Sequence, residues 1–381
     1  MLMVKISSFV ARSIEELIEG IKNEKTFHPT LALIFSPAKM GLPDLARAVA
    51  PLGIPVFGSS SAGGILATPS GSPVHEQAAV CCLLDLPASF FSVKLFERNN
   101  EPATEFGNRI GRWGHETFSH PAFIISIANL DNNGEAIVRG IEDACPEGTT
   151  IYGGFAGDVA VPKKPAVFSH TGLVSDGAIV LAFDQSKVSV QGITTSGWTG
   201  IGVELEITSS EGRIVHTING RPAMDVVEEY LNISDTELLP VSVNFPMLLI
   251  RSDGTEVLRT IFAADFEKRS LRFAGNVPQG SKVKFSSSFG YNTIDTAIRD
   301  LNEYYPGHSE ADLILFFSCL ARLRAAGPLI SNEIMAAYNL WKCPLVGFFC
   351  CGEIGPNRIG TCELYNDSIA LVQIHIRPDT E

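Results

Sequence analysis

Three stretches of this chain repeat one pattern: an apolar strand, a helical stretch, then a second strand running into a glycine-rich turn and a further strand. The first copy reads LALIFS from Leu31, PVFGSSSAGGI from Pro55 and AAVCCLLDL from Ala78. The last reads LILFFS from Leu313, PLVGFFCCGEI from Pro344 and SIALVQIHI from Ser368. Through the turn these two align without a gap, Pro55 with Pro344, Gly58 with Gly347, Gly63 with Gly352 and Ile65 with Ile354. The middle copy reads FIISI from Phe123, TIYGGFAGDV from Thr150 and GAIVLAF from Gly177. Its turn is one residue shorter, so Ala156, Gly157 and Asp158 stand where Ala62, Gly63 and Gly64 stand. Glycine repeated at such a place points to positive φ or to close approach by another group. The pattern predicts an α/β chain of repeated strand-helix-strand-turn-strand units, in mixed sheets flanked by helices. The recurring turn is the first place to look for ligand chemistry.

The helices carry their own signals. Ser13 with Glu16 predicts a capping box, and Ile14, Leu17, Ile18 and Ile21 an apolar face, so residues 1–27 are expected to add an N-terminal helix. Pro43 suits a first helical position in copy one, NNGEAIVRGIEDAC gives the helix of copy two, and Ser331 caps that of copy three. Between copies two and three the texture changes to strands, with Asn219-Gly220 and Asp253-Gly254 as hairpin turns, a helix opening at Pro222 and another capped by Thr293. A boundary near residues 184–240 then divides the chain into closely packed parts, 28–215 with two copies and 216–377 with the hairpins and the third.

With 381 residues the chain exceeds one ordinary core. Its formal charge of −13 and lack of a basic run argue against nucleic acid or an anionic membrane as partner. No segment reaches the roughly 20 apolar residues of a spanning helix, and none reads as an export signal, so a cytoplasmic location is expected. Neither of the adjacent pairs Cys81-Cys82 and Cys350-Cys351 is placed to bridge, and without any CxxC a zinc site has no support.

The run IYGGFAGD, HTGLVSDGAIVLAF, SGWTGIGVELEIT and INGRPAMDVVEEYL resembles the N-terminal half of FIST domain proteins. SCLAR, the helix after Ser331, PLVGFFCCGEIGP and YNDS resemble the C-terminal half. The resemblance implies a sensory module of bacterial signal transduction that binds a small ligand, amino acids being one proposal. It implies a stand-alone sensor acting through a partner, such as a histidine kinase or a cyclic-di-GMP enzyme. Some relatives bind haem and sense nitric oxide, so haem is a cofactor the resemblance allows. Two departures bear on the ligand: Ala62-Gly63-Gly64 lacks the glutamate the family often carries there, and Ala321 replaces a glycine between Cys319 and Arg322.

The candidate ligand-binding residues are Cys319, Arg322, Gly352, Glu353, Asn366 and Ser368 at the third turn, with Asp158 and Gly63 at the other two. Arg322, just past a strand end, suits a carboxylate or phosphate, or else a surface ion pair, as does Arg324. Glu353 suits an ammonium, and with Arg322 would hold a zwitterion; otherwise it caps amides or bridges to Arg358. Glu333 reads as a residue complementing a helix dipole. Asn366 and Ser368 either contact ligand or make a turn. Cys319 is a buried thiol or the nucleophile of a cysteine-dependent enzyme. The eight histidines show no HxxxH or HExxH spacing, so no structural metal is indicated.

Overall fold

The structure is a computed structural model that describes residues 4–129, 133–158, 165–242, 244–251, 254–287, 291–357 and 360–377. Its body is one arrangement built three times. The first unit runs β1 (Lys5–Ala11), α1 (Ile14–Lys22), β2 (Leu31–Ser36), α2 (Leu42–Val49), β3 (Val56–Ser60), β4 (Gly64–Ala67), β5 (Val74–His75) and β6 (Ala79–Asp85). The second runs β7 (Phe91–Glu97), α3 (Ala103–Thr117), β8 (Pro121–Ala128), α4 (Gly134–Asp143), β9 (Ile151–Phe155), β10 (Val167–Ser169), β11 (Gly172–Val174) and β12 (Gly177–Asp184). The third opens with β13 (Val188–Thr195) and is then interrupted by an insert.

The insert comprises β14 (Thr199–Glu211), β15 (Ile214–Ile218), β16 (Arg221–Pro222), α5 (Ala223–Leu231), α6 (Leu238–Ser242), β17 (Met247–Ile250), β18 (Glu256–Arg259), β19 (Ile261–Asp265), β20 (Ser270–Phe273) and β21 (Lys282–Ser287). The third unit resumes with α7 (Tyr291–Tyr304), β22 (Leu313–Cys319), α8 (Leu320–Ala326), α9 (Ile330–Trp341), β23 (Leu345–Cys350), β24 (Glu353–Pro356), β25 (Cys362–Tyr365) and β26 (Ile369–Ile376).

Each unit contributes four strands to its own sheet and gives its fourth and fifth away. The sheets are β1-β6-β2-β3-β10-β11, β7-β12-β8-β9-β24-β25 and β13-β26-β22-β23-β4-β5. The hairpin after the first glycine turn therefore joins the third sheet, that after the third turn joins the second, and that after the second joins the first. The exchange closes on itself. Within each unit the two strands flanking the short helical crossover are parallel, Gly58 opposite Ile34, Gly153 opposite Ile125 and Gly347 opposite Phe316. One face of every sheet packs into a common centre, where Phe35 of the first unit meets Phe348 of the third at 4.8 Å between ring centroids. The opposite faces lie under α1 and α2, α3 and α4, or α7 and α9.

The insert is a single sheet bent back on itself, because its end strands β18 and β19 are consecutive and joined through Thr260. Its first and last strands pair Thr199 with Ser287, so the chain leaves and re-enters the body at one place. It has its own apolar core, including Ile207, Met224, Leu249 and Phe285.

Several expectations are met. Ser13 caps α1 by accepting from the Glu16 amide at 3.1 Å. Asn219 and Gly220 both take positive φ, 49° and 76°, in the tight turn from β15 to β16. Others need correction. Residues 1–27 hold a strand as well as a helix, β1 pairing along β6. The segment after each glycine turn is a hairpin that leaves for another sheet. A division between residues 215 and 216 falls inside β15, and the insert's structural limits are Thr199 and Ser287. Helix α9 begins at Ile330 and α7 at Tyr291, so Ser331 and Thr293 lie in first turns rather than at caps. Asp253 and Arg358 lie outside the described residues.

Candidate ligand-binding site at the third glycine turn

Strand β22 ends at Cys319 and α8 starts at the next residue, which carries Arg322 above the carboxyl ends of β22 and β23. The side chain is fully buried. Its Nε donates to Glu333 Oε1 at 3.3 Å, and a terminal nitrogen pairs with Glu333 Oε2. The other terminal nitrogen donates to the backbone oxygens of Ser196 and, at 3.2 Å, Asp367. Four of the five guanidinium N–H groups are thereby used. The guanidinium carbon also lies 5.3 Å from the Trp198 ring centroid. Glu333 does stand in the first turn of α9, but its buried carboxylate faces Arg322. Burial raises Glu333 above the usual carboxylate range, and the guanidinium pulls it back down.

Glu353, at the start of β24, accepts from the Ser368 amide at 3.2 Å, the Ser368 hydroxyl at 2.8 Å and the Cys350 thiol at 3.1 Å. None of these partners is charged. Burial pushes Glu353 up to about 8, with those hydrogen bonds opposing the rise and the nearby Asp367 adding to it. Asp367, between Asn366 and Ser368, takes φ 54°, a left-handed conformation tolerated by Asp. The Thr260 hydroxyl donates to its Oδ2, while Oδ1 is buried without a hydrogen-bond partner. Burial pushes Asp367 up to about 7, against the Thr260 hydrogen bond and Arg322. An unmatched buried oxygen costs about 1–3 kcal/mol. Asn366 Oδ1 accepts from the Thr260 amide at 3.5 Å.

Two parts of the molecule cover this cluster. The link from β13 to β14 brings Ser196 and Trp198 over Arg322, and the bend between β18 and β19 brings Thr260 onto Asp367. The insert is pinned there by its neighbour Arg259, also fully buried, which pairs with Glu135 in the first turn of α4. Arg259 further donates to the backbone oxygens of Leu364 at 3.2 Å and Asn276 at 3.1 Å. The cluster therefore sits where the insert meets the body.

Of the residues singled out from sequence, Cys319, Arg322, Glu353, Asn366 and Ser368 come together, with Gly352 (φ 122°) turning the chain between Cys350 and Glu353. Gly63 and Asp158 are placed elsewhere. The Gly63 oxygen accepts from the Phe349 amide at 2.8 Å, and Asp158 lies beside Cys351. Nor is Asp158 the counterpart of Glu353. By register Glu353 stands opposite Gly154, Gly64 opposite Phe348 and Val167 opposite Ser59. Asp367, Thr260 and Trp198 were not picked out by sequence reasoning. The signal for Asp367 was the Asn-Asp-Ser run before a mostly apolar strand.

A family model for the FIST N domain matches residues 30–221, and one for the FIST C domain matches residues 223–356. The chain belongs to the FIST family. Such domains are associated with sensory signal transduction. No curated protein matches this FIST chain. The second match stops short of Asn366, Asp367 and Ser368, so these three cluster residues lie outside it. No described helix is long and apolar enough to cross a membrane.

Haem does not fit the donor set of this FIST cluster. Cys319 is held protonated by burial and by Glu353 and Asp367, and Cys350 by burial and Glu353. His308 stacks on Tyr304 and His375 faces Asp312 and Glu310, both away from it. The same elevation makes Cys319 a poor nucleophile.

Proposed function

We infer that this FIST chain is a small-ligand-binding sensory protein whose ligand site is the Arg322–Glu353–Asp367 cluster. The observation that carries the reading is the buried Asp367 Oδ1, left without a partner in a cluster of ionisable groups at the junction of insert and body. Buried polar groups elsewhere in proteins are paired, so an orphan in such a place marks a position completed by something else. Glu353 beside it suits a metabolite that carries an amino group, amino acids among them. A ligand donating to Asp367 Oδ1 sits beside the Thr260 contact to Oδ2, where the insert rests on the body, and acts on that contact. That coupling is the route by which occupancy reaches a separate signalling partner, such as a histidine kinase or a cyclic-di-GMP enzyme.

The test is a thermal-shift screen with amino acids, amines and related polar metabolites. Saturable stabilisation by one compound class, lost in Asp367→Asn, supports the reading; a full screen without any shift ends it.

A further inference from the structure

Given that the cluster is the ligand site, its charge balance restricts what it takes. Arg322 and Glu333 neutralise each other inside the protein, and four of the guanidinium's five N–H groups already have acceptors. One N–H alone is left for a ligand carboxylate, and a two-point pairing would displace Glu333, leaving a third buried acid without its cation. The two acids that remain, Glu353 and Asp367, have only uncharged hydrogen-bond donors, Ser368, Cys350 and Thr260. Asp367 Oδ1 has none at all. The titratable and charged groups facing them are Cys319 of β22, Cys350 of β23, Cys351 beside the turn and Arg322 of α8. Among the described residues no group of three or more Cys, His, Asp or Glu side chains is placed to hold a metal ion.

We propose that the site takes a small organic cation, an aliphatic amine, and gives the carboxylate of an amino acid no partner. An ammonium supplies the charge that the two acids lack, and one of its N–H groups supplies a donor for Asp367 Oδ1. Since burial raises Glu353 to about 8 and Asp367 to about 7, the arriving cation displaces protons from them, and affinity rises as pH is raised from 6 to 8.

The probes are n-butylamine, norvaline and pentanoate, which share one alkyl chain and carry on it an ammonium, an ammonium with a carboxylate, or a carboxylate. Thermal shifts and titration calorimetry in two buffers of different ionisation enthalpy are run on the full chain, on Glu353→Gln and on Asp367→Asn. Both substitutions keep shape and mimic the protonated acid, so each is expected to fold. The expected result is saturable binding of the amine, at least tenfold tighter than norvaline, with proton release. Either substitution weakens it at least tenfold. Norvaline binding as tightly as the amine, or more tightly, through the same two residues would keep the ligand site and overturn the cation assignment. Pentanoate as the tightest binder would overturn it too. Silence from all three probes overturns the cation assignment, and the broad metabolite screen then decides separately whether the cluster is a ligand site.

Discussion

Two neighbouring acids without a cation make this protein's stability fall with pH near neutrality. Glu353 and Asp367 keep their protons in the fold up to about 8 and about 7, whereas in an unfolded chain such groups release them near pH 4. Between those limits the folded state binds more protons, so their contribution is complete below the unfolded pKa and is lost as pH rises through 7 to 8. Urea unfolding of the unliganded protein is expected to show lower stability at pH 8 than at pH 6, by at most about 1.4 kcal/mol per pH unit for each acid. Glu353→Gln should flatten that slope; an equal slope in the variant would refute the assignment. The ion pair makes a different prediction. Glu333→Ala leaves a buried guanidinium uncompensated and should cost about 3–5 kcal/mol, while replacing both partners by Leu or Met should recover most of the loss. Sequence singled out Arg322 and Glu353 and joined them in one ligand clamp, whereas the structure pairs Arg322 with Glu333. What it lacked was distance: Glu333 reaches Arg322 across the break between α8 and α9, and nothing in spacing shows that.

Gly58, Gly153 and Gly347 recur because β-strands and rings press against them. An added Cβ would collide with Ile125 O at Gly153, Phe316 O at Gly347 and the Phe168 ring at Gly58. Gly347→Ala is therefore expected to cost about 3 kcal/mol or more, in the class of severe packing lesions. Gly53→Ala, at φ +72° in open space, should cost only about 1 kcal/mol. Comparable denaturation midpoints for the two would contradict this account. Legibility at this scale was high for what is local. Strands, crossover helices and the Ser13 cap were readable because periodicity and capping chemistry act over a few residues. The partner of each post-turn strand was not, since alternation records which face is buried and is silent about which strand lies alongside. For the same reason Asp158 looked like the counterpart of Glu353, although the true counterpart, Val167, follows a longer excursion.

The three sheets share strands in a closed cycle, while the insert is attached at one doorway. Thr199 and Ser287 are paired neighbours, so replacing residues 199–287 by a short Gly-Ser link should leave the three-unit body folded. Circular dichroism and a single cooperative transition would show it. Loss of the body's fold on excision would mean that the insert, through Arg259 and Thr260, is part of its core rather than a roof on it. The cyclic exchange also sets a schedule for synthesis. Strand β4 leaves the ribosome well before the strand it pairs with, Leu345–Cys350. At cellular elongation rates that wait lasts on the order of tens of seconds. Throughout it the amides of β4 that will face β23 stand unmatched, and the cycle closes only when β23 arrives.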